Sequence, residues 1–104
     1  MLTLTGTPYY RAPEMFEGGG YSESVDMWAL GVTVFKLMVG FTPFESEYHA
    51  ETIENIMKGE FDFPPQIEAR FSKQARLFVG SLLRHHEKRA NAVDALKDLW
   101  FIDI

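Results

Sequence analysis

The stretch VDMWALGVTVFKLMVGFTPF, residues 25–44, sets the reading of the whole chain. From Val25 to Val39 it predicts one helix. Ser22 or Ser24 can cap that helix, because a serine oxygen accepts from the free amides of a first turn, and Gly40 is the residue to end it. Val25, Met27, Trp28, Leu30, Val32, Val34, Phe35, Leu37 and Met38 fall around nearly the full circumference. A helix apolar on all sides has to be enclosed by protein. A membrane span needs about 20 mainly apolar residues, whereas Asp26, Thr33 and Lys36 interrupt this run. The expectation is a wholly buried helix in a soluble, mainly α domain, and one small set of helices can hardly enclose it.

Working outward, Leu2 to Gly20 is rich in Thr, Gly and Pro and reads as an ordered loop, with a short helix around Pro13 to Glu17 and a turn at Gly18-Gly19-Gly20. Beyond Pro43, a helix is predicted over Ala50 to Lys58, with Ile53, Ile56 and Met57 on one face and Gly59 closing it. Phe61 to Phe71 contains Pro64-Pro65 and is expected to be irregular. Ser72 caps the next helix, which presents Ala75, Phe78, Val79 and Leu82 on one side. Asn91 caps the last, with Asp94 three residues on at its positive end and Ala92, Val93 and Leu96 expected to pack inward. Four helices, short connections and no convincing strand result.

The length of 104 residues suits one small domain. Fifteen acidic and 10 basic residues give a net charge of -5, which disfavours nucleic-acid binding, since that needs a basic face. The absence of cysteine excludes disulfides and thiolate metal sites. His85-His86 is not a convincing metal site either, because adjacent histidines on a helix cannot both face one ion. No secretory signal is visible, and the cytosol is the default compartment.

Three blocks stand in a telling order: GTPYYRAPE at 6–14, the helix block at 25–44, and LLRHHEKRANAVDALKDLWF at 82–101. Together they resemble the eukaryotic serine/threonine protein kinase family, from the end of the activation segment to the last helix of the large lobe, over essentially all 104 residues. The calcium/calmodulin-dependent group is the nearest fit. Tyr-Tyr-Arg-Ala-Pro-Glu is also similar to the cyclin-dependent and mitogen-activated group, which however lacks the preceding Gly-Thr-Pro. His85-His86-Glu87 stands where the family has Asp-Pro before its arginine, and Asp98-Leu99 where it has His-Pro.

The resemblance implies roles for single residues. Thr7 would hydrogen-bond the catalytic aspartate of the family, which is not in this sequence. Leu4, Pro8, Tyr9 and Arg11 would contact the protein substrate. Tyr9 and Lys36 replace two glutamates that read basic residues in arginine-directed kinases, so strong selection for upstream arginine is not expected. Glu14 would form a buried ion pair with Arg89, and Trp28 belongs with them among the structural residues. Asp26 would accept from the catalytic-loop backbone; in this chain by itself it reads equally as a solvated acid in a helix first turn. Thr3, with Thr5 competing, is the candidate phosphorylation site of the activation segment.

Phosphate transfer needs a glycine-rich loop, a lysine–glutamate pair, and catalytic and metal-binding carboxylates. The motifs that supply them are not among residues 1–104. The expectation is therefore a partial kinase domain, without N-lobe or catalytic loop and inactive alone, from a longer parent that uses ATP and Mg2+. No cofactor or metal is assigned to the fragment itself. The competing readings are a non-catalytic module, binding substrates or a regulatory protein through the helix at Ala50 to Lys58 and the Thr7–Glu14 loop, and a remnant without function.

Overall fold

The structure is a computed structural model that describes residues 8–18 and 22–99. A 3-10 turn, Pro8–Tyr10, leads into six helices: α1 Pro13–Phe16, α2 Glu23–Val39, α3 His49–Lys58, α4 Pro65–Arg70, α5 Lys73–Leu82 and α6 Ala92–Leu99. No strand occurs among the described residues, and no described helix is long and apolar enough to cross a membrane. The central helix α2 packs on α5 and the Pro8–Tyr10 turn; that turn also meets α3, α1 meets α3, and α5 meets α6.

The helix ends follow the local chemistry. Gly40 and Gly59 stop α2 and α3 in the left-handed region, at φ 101° and 68°, a conformation that a residue without Cβ adopts cheaply. Ser72 Oγ accepts from Ala75 N at 3.2 Å, and Asn91 Oδ1 from Asp94 N at 2.9 Å. At α2 the expectation fails in part. Ser22 occupies the cap position but makes no side-chain capping bond, and the Ser24 hydroxyl is engaged elsewhere.

The prolines at 64 and 65 do not keep their segment irregular. Pro65 starts α4, where a missing N–H costs nothing and a fixed φ is already helical, and Ile67 is buried to hold it. The last helix is also turned differently from the sequence expectation. Ala95 is the residue buried against Phe78 and Leu82, while Ala92 is exposed and Val93 and Leu96 are 62% and 59% exposed. A small side chain lets α6 approach α5 closely, and this rotation puts the larger apolar residues outside.

One core holds Ala12, Val25, Trp28, Val32, Phe35, Phe44, Ile56, Val79 and Leu83 together. Phe35 also meets Phe41, Phe61 and Phe63, with centroids 5.1–6.2 Å apart. At the α2–α5 crossing, Gly31 is buried so tightly that a Cβ there would lie 2.8 Å from Leu82 Cβ. The helix is nevertheless not enclosed all round in this chain. Asp26, Leu30, Thr33 and Leu37 are exposed, Leu37 by 81%. At about 100° per residue they share one narrow sector of the helix. The other faces bury Val25, Trp28, Gly31, Val32 and Phe35, so the apolar circumference divides into a covered side and an open stripe.

Candidate functional site

Glu14 follows Pro13 in the first turn of α1, and Arg89 lies in the loop between α5 and α6. They are 75 residues apart in sequence and meet in a two-pronged ion pair. Arg89 Nη1 donates to Glu14 Oε2 at 2.7 Å and Nη2 to Oε1 at 3.0 Å. The planar guanidinium suits this geometry because its N–H groups run parallel to the two carboxylate lone pairs.

The arginine has further work. Nη1 also donates to the Ser24 carbonyl at 2.8 Å, with Ser24 Oγ 3.0 Å away. Nε donates to the Arg84 carbonyl at 2.9 Å. The guanidinium carbon lies 4.9 Å from the Trp28 ring centroid, within the range of a cation–π attraction. Trp28 is stacked on Phe44, 5.5 Å between centroids and 14° between planes. Its indole Nε1 has no acceptor among the described residues. Arg89 therefore ties α1, the first turn of α2 and its own loop to one point, and Ala90 N donating to Ser81 O fastens that loop to α5. The Arg89 side chain is fully covered and that of Glu14 is 12% exposed.

The Glu14 carboxyl titrates below its usual value. Burial alone would raise it. The Arg89 hydrogen bond, a bond from its own backbone amide and the Arg89 and His86 charges together outweigh burial. Opposite charge and donated hydrogen bonds both favour the ionised form.

Next to this clasp, Pro8 is buried and Tyr9, Tyr10 and Arg11 are half-buried. Tyr9 meets His49 of α3 edge-on, 6.4 Å between ring centroids. The Pro8–Tyr10 turn thus sits between α2 and α3, and Arg11 follows it directly. Lys36 is exposed near the other end of α2. Asp26 is exposed in the first turn of α2, the arrangement of a solvated acid near a helix N-terminus. Thr3, Leu4, Thr5 and Thr7 lie outside the described residues, as do the turn at Gly19-Gly20 and the pair Trp100-Phe101.

Sequence reasoning passed over Ser24 as an arginine partner and took it for a cap. It also missed Thr52 and Asn55, which anchor the loop before α3: Thr52 Oγ1 accepts from Ser46 N at 2.9 Å, and Asn55 Nδ2 donates to the Phe44 carbonyl at 3.2 Å. Polar residues on an amphipathic helix carry no mark of which will turn inward. The two histidines also differ from the sequence expectation, which placed them on a helix. His85 and His86 are in a turn, not a helix, with rings 4.3 Å apart. Their ligand atoms and that of Glu87 lie within 4.8 Å of one another, all on exposed side chains.

This architecture recurs in known proteins. The family model described as protein kinase domain matches residues 1–101. Myosin light chain kinase A of Dictyostelium discoideum is 42% identical over 101 residues, covering 96% of this chain and 34% of that protein. Aurora kinase A-A of Xenopus laevis is 42% identical, with 96% and 24% covered. Calcium/calmodulin-dependent protein kinase type I of Schizosaccharomyces pombe is 41% identical, with 93% and 29% covered. Among solved structures, the autoinhibited serine kinase domain of the giant muscle protein titin superposes with a TM-score of 0.84 at 37% identity, covering 90% of this chain and 30% of that one. The chain thus spans about a third or less of the relatives it matches. Its helices, its order of motifs and its neighbours agree, and the chain belongs to the serine/threonine protein kinase family, as part of the helical large lobe.

Proposed function

We propose that residues 1–104 are the C-terminal half of the large lobe of a serine/threonine kinase whose complete chain moves the γ-phosphate of ATP to Ser or Thr of protein substrates. In this reading the segment from Leu4 to Arg11 carries the substrate, Thr7 supports a catalytic aspartate supplied from upstream, and the Asp26 stripe of α2 receives the catalytic loop. The observation that carries it is the Glu14–Arg89 clasp, which fixes the end of the Pro8–Glu14 segment to the helical core. Phosphate transfer depends on holding substrate against the phosphate donor, and such a clasp gives the substrate segment a rigid base.

The cluster of three ligating side chains found among the described residues, His85, His86 and Glu87, does not fit Mg2+. Mg2+ takes oxygen ligands in an octahedral shell. The clustered ligating side chains here are two imidazoles and one carboxylate, a nitrogen-rich set suited to other ions. ATP and Mg2+ are assigned to the parent because the chain belongs to the kinase family, and no step of transfer is assigned to these residues. Thr3 is the proposed phosphorylation site, and arginines outside this segment would receive its phosphate.

A direct test measures phosphate transfer to a generic protein substrate by the 104-residue chain and by the product of its gene extended upstream in frame. Transfer by the extended product alone supports the reading. Transfer by the 104-residue chain, or an upstream frame without catalytic motifs, would overturn it. A peptide array on the extended enzyme checks the substrate expectation, which dominant selection of upstream arginine would contradict.

A further inference from the structure

A cavity of about 570 Å3 opens between α1, the C-terminal end of α3 and the α5–α6 loop. That volume lies in the range of ligand-binding clefts. Its floor is apolar and made by Trp28, Ile56 and Leu83, with Met57, 43% exposed, at the edge. Its rim carries Lys58, Arg84 and Lys88 against the single carboxylate of Glu17. The chain as a whole is acidic, at -5, so three cations around one apolar cleft reverse the general character of the surface. These side chains are exposed. Lys58 has only a long contact of 3.9 Å to Glu54, between two well-exposed side chains, and such a pair holds its lysine weakly.

We infer that this cleft is a docking site for an acidic segment of a protein partner that carries one bulky apolar side chain. The apolar side chain would enter the floor beside Met57, whose unbranched, flexible chain adapts to different shapes. Carboxylates flanking it would reach Lys58, Arg84 and Lys88. The charges would steer and orient the segment, and burial of the apolar side chain would retain it. The inference stands on the cleft and its rim and does not depend on phosphate transfer. None of Pro8 to Arg11, the described part of the segment assigned to the phosphorylated substrate, lines the cleft.

The test is fluorescence anisotropy on the 104-residue chain with a labelled peptide of glutamates around one tryptophan. Two control peptides replace the glutamates by lysines or the tryptophan by serine. The expected result is saturable binding of the first peptide only, weakened by added salt because exposed charges are screened. Arg84→Glu with Lys88→Glu is expected to weaken it roughly tenfold or more. Lys73→Glu with Lys97→Glu makes the same change in net charge at exposed positions away from the cleft and is expected to leave binding within about twofold. Equal circular dichroism of all variants confirms that the fold is kept. Absence of binding, binding of the serine control, or equal loss in the two charge-reversed variants would each overturn the inference.

Discussion

Replacing Arg89 by alanine probes the point on which the described helices converge. Breaking one side of a buried ion pair costs about 3–5 kcal/mol, because the remaining charge is left desolvated. Glu14 keeps 12% of its side-chain surface exposed, so some rehydration is open to it and the lower end, about 3 kcal/mol, is the starting figure. The change also removes the bonds to the Ser24 and Arg84 carbonyls and the contact with Trp28. With each bond worth about 1 kcal/mol net and partly replaceable by water, the expected loss is about 4 kcal/mol. A domain of this size has roughly 5–15 kcal/mol in all, and the corresponding fall in Tm is on the order of 20 °C. Arg84→Ala is the control: its side chain is exposed and its carbonyl survives the substitution, so a change within about 0.5 kcal/mol is expected. Arg89→Lys keeps the charge without the fork and should fall between them. Urea unfolding followed by far-ultraviolet circular dichroism measures all three. If Arg89→Ala and Arg84→Ala agree within about 1 kcal/mol, the clasp does not hold the fold together.

Glu14→Gln tests the same pair through pH. A carboxyl depressed in the folded state contributes stability above its unfolded value, 4.5, and that contribution fades as pH falls from there through the lower folded value. The unsubstituted chain should therefore lose more stability than Glu14→Gln on acidification across that window, and parallel curves in a pH series of urea melts would argue against it. Gly31→Ala places a Cβ 2.8 Å from Leu82 Cβ; overpacking of about 1–3 kcal/mol should exceed the gain in helix propensity of about 1 kcal/mol, and an unchanged or higher melting midpoint would show that the crossing has room. Leu37→Lys, on the open stripe of α2, should change stability by less than about 0.5 kcal/mol and reduce self-association seen by light scattering; a large destabilisation would mean that the stripe is covered after all.

Much of the architecture was legible because it rests on local chemistry. Gly40, Gly59, Ser72 and Asn91 mark helix ends through backbone freedom and capping oxygens, and each does so in the structure. What stayed hidden depends on neighbours. The apolar periodicity of α6 is compatible with more than one rotation, and only the meeting of Ala95 with Phe78 and Leu82 selects the observed one. Pro64-Pro65 spelled a break, yet proline also begins helices, and the burial of Ile67 decides between the two. For α2, the sequence foretold apolar residues on every side but not which side this chain would leave open. Glu14 and Arg89 were paired through the resemblance to kinases, since no periodicity links residues so distant in sequence. Ser24, Arg84 and Trp28, gathered around the arginine, became visible only in three dimensions.

The clasp also bears on the order of events as the chain folds. It closes a ring of 75 residues, and chain entropy opposes so long a closure until the helices within it are in place. A bond that forms last is absent at the barrier, so its removal hastens departure from the native state and leaves the approach nearly unchanged. Stopped-flow kinetics of Arg89→Ala should place the loss in the unfolding limb. The arginine then acts as a latch, governing how long the assembled lobe endures more than how quickly it assembles.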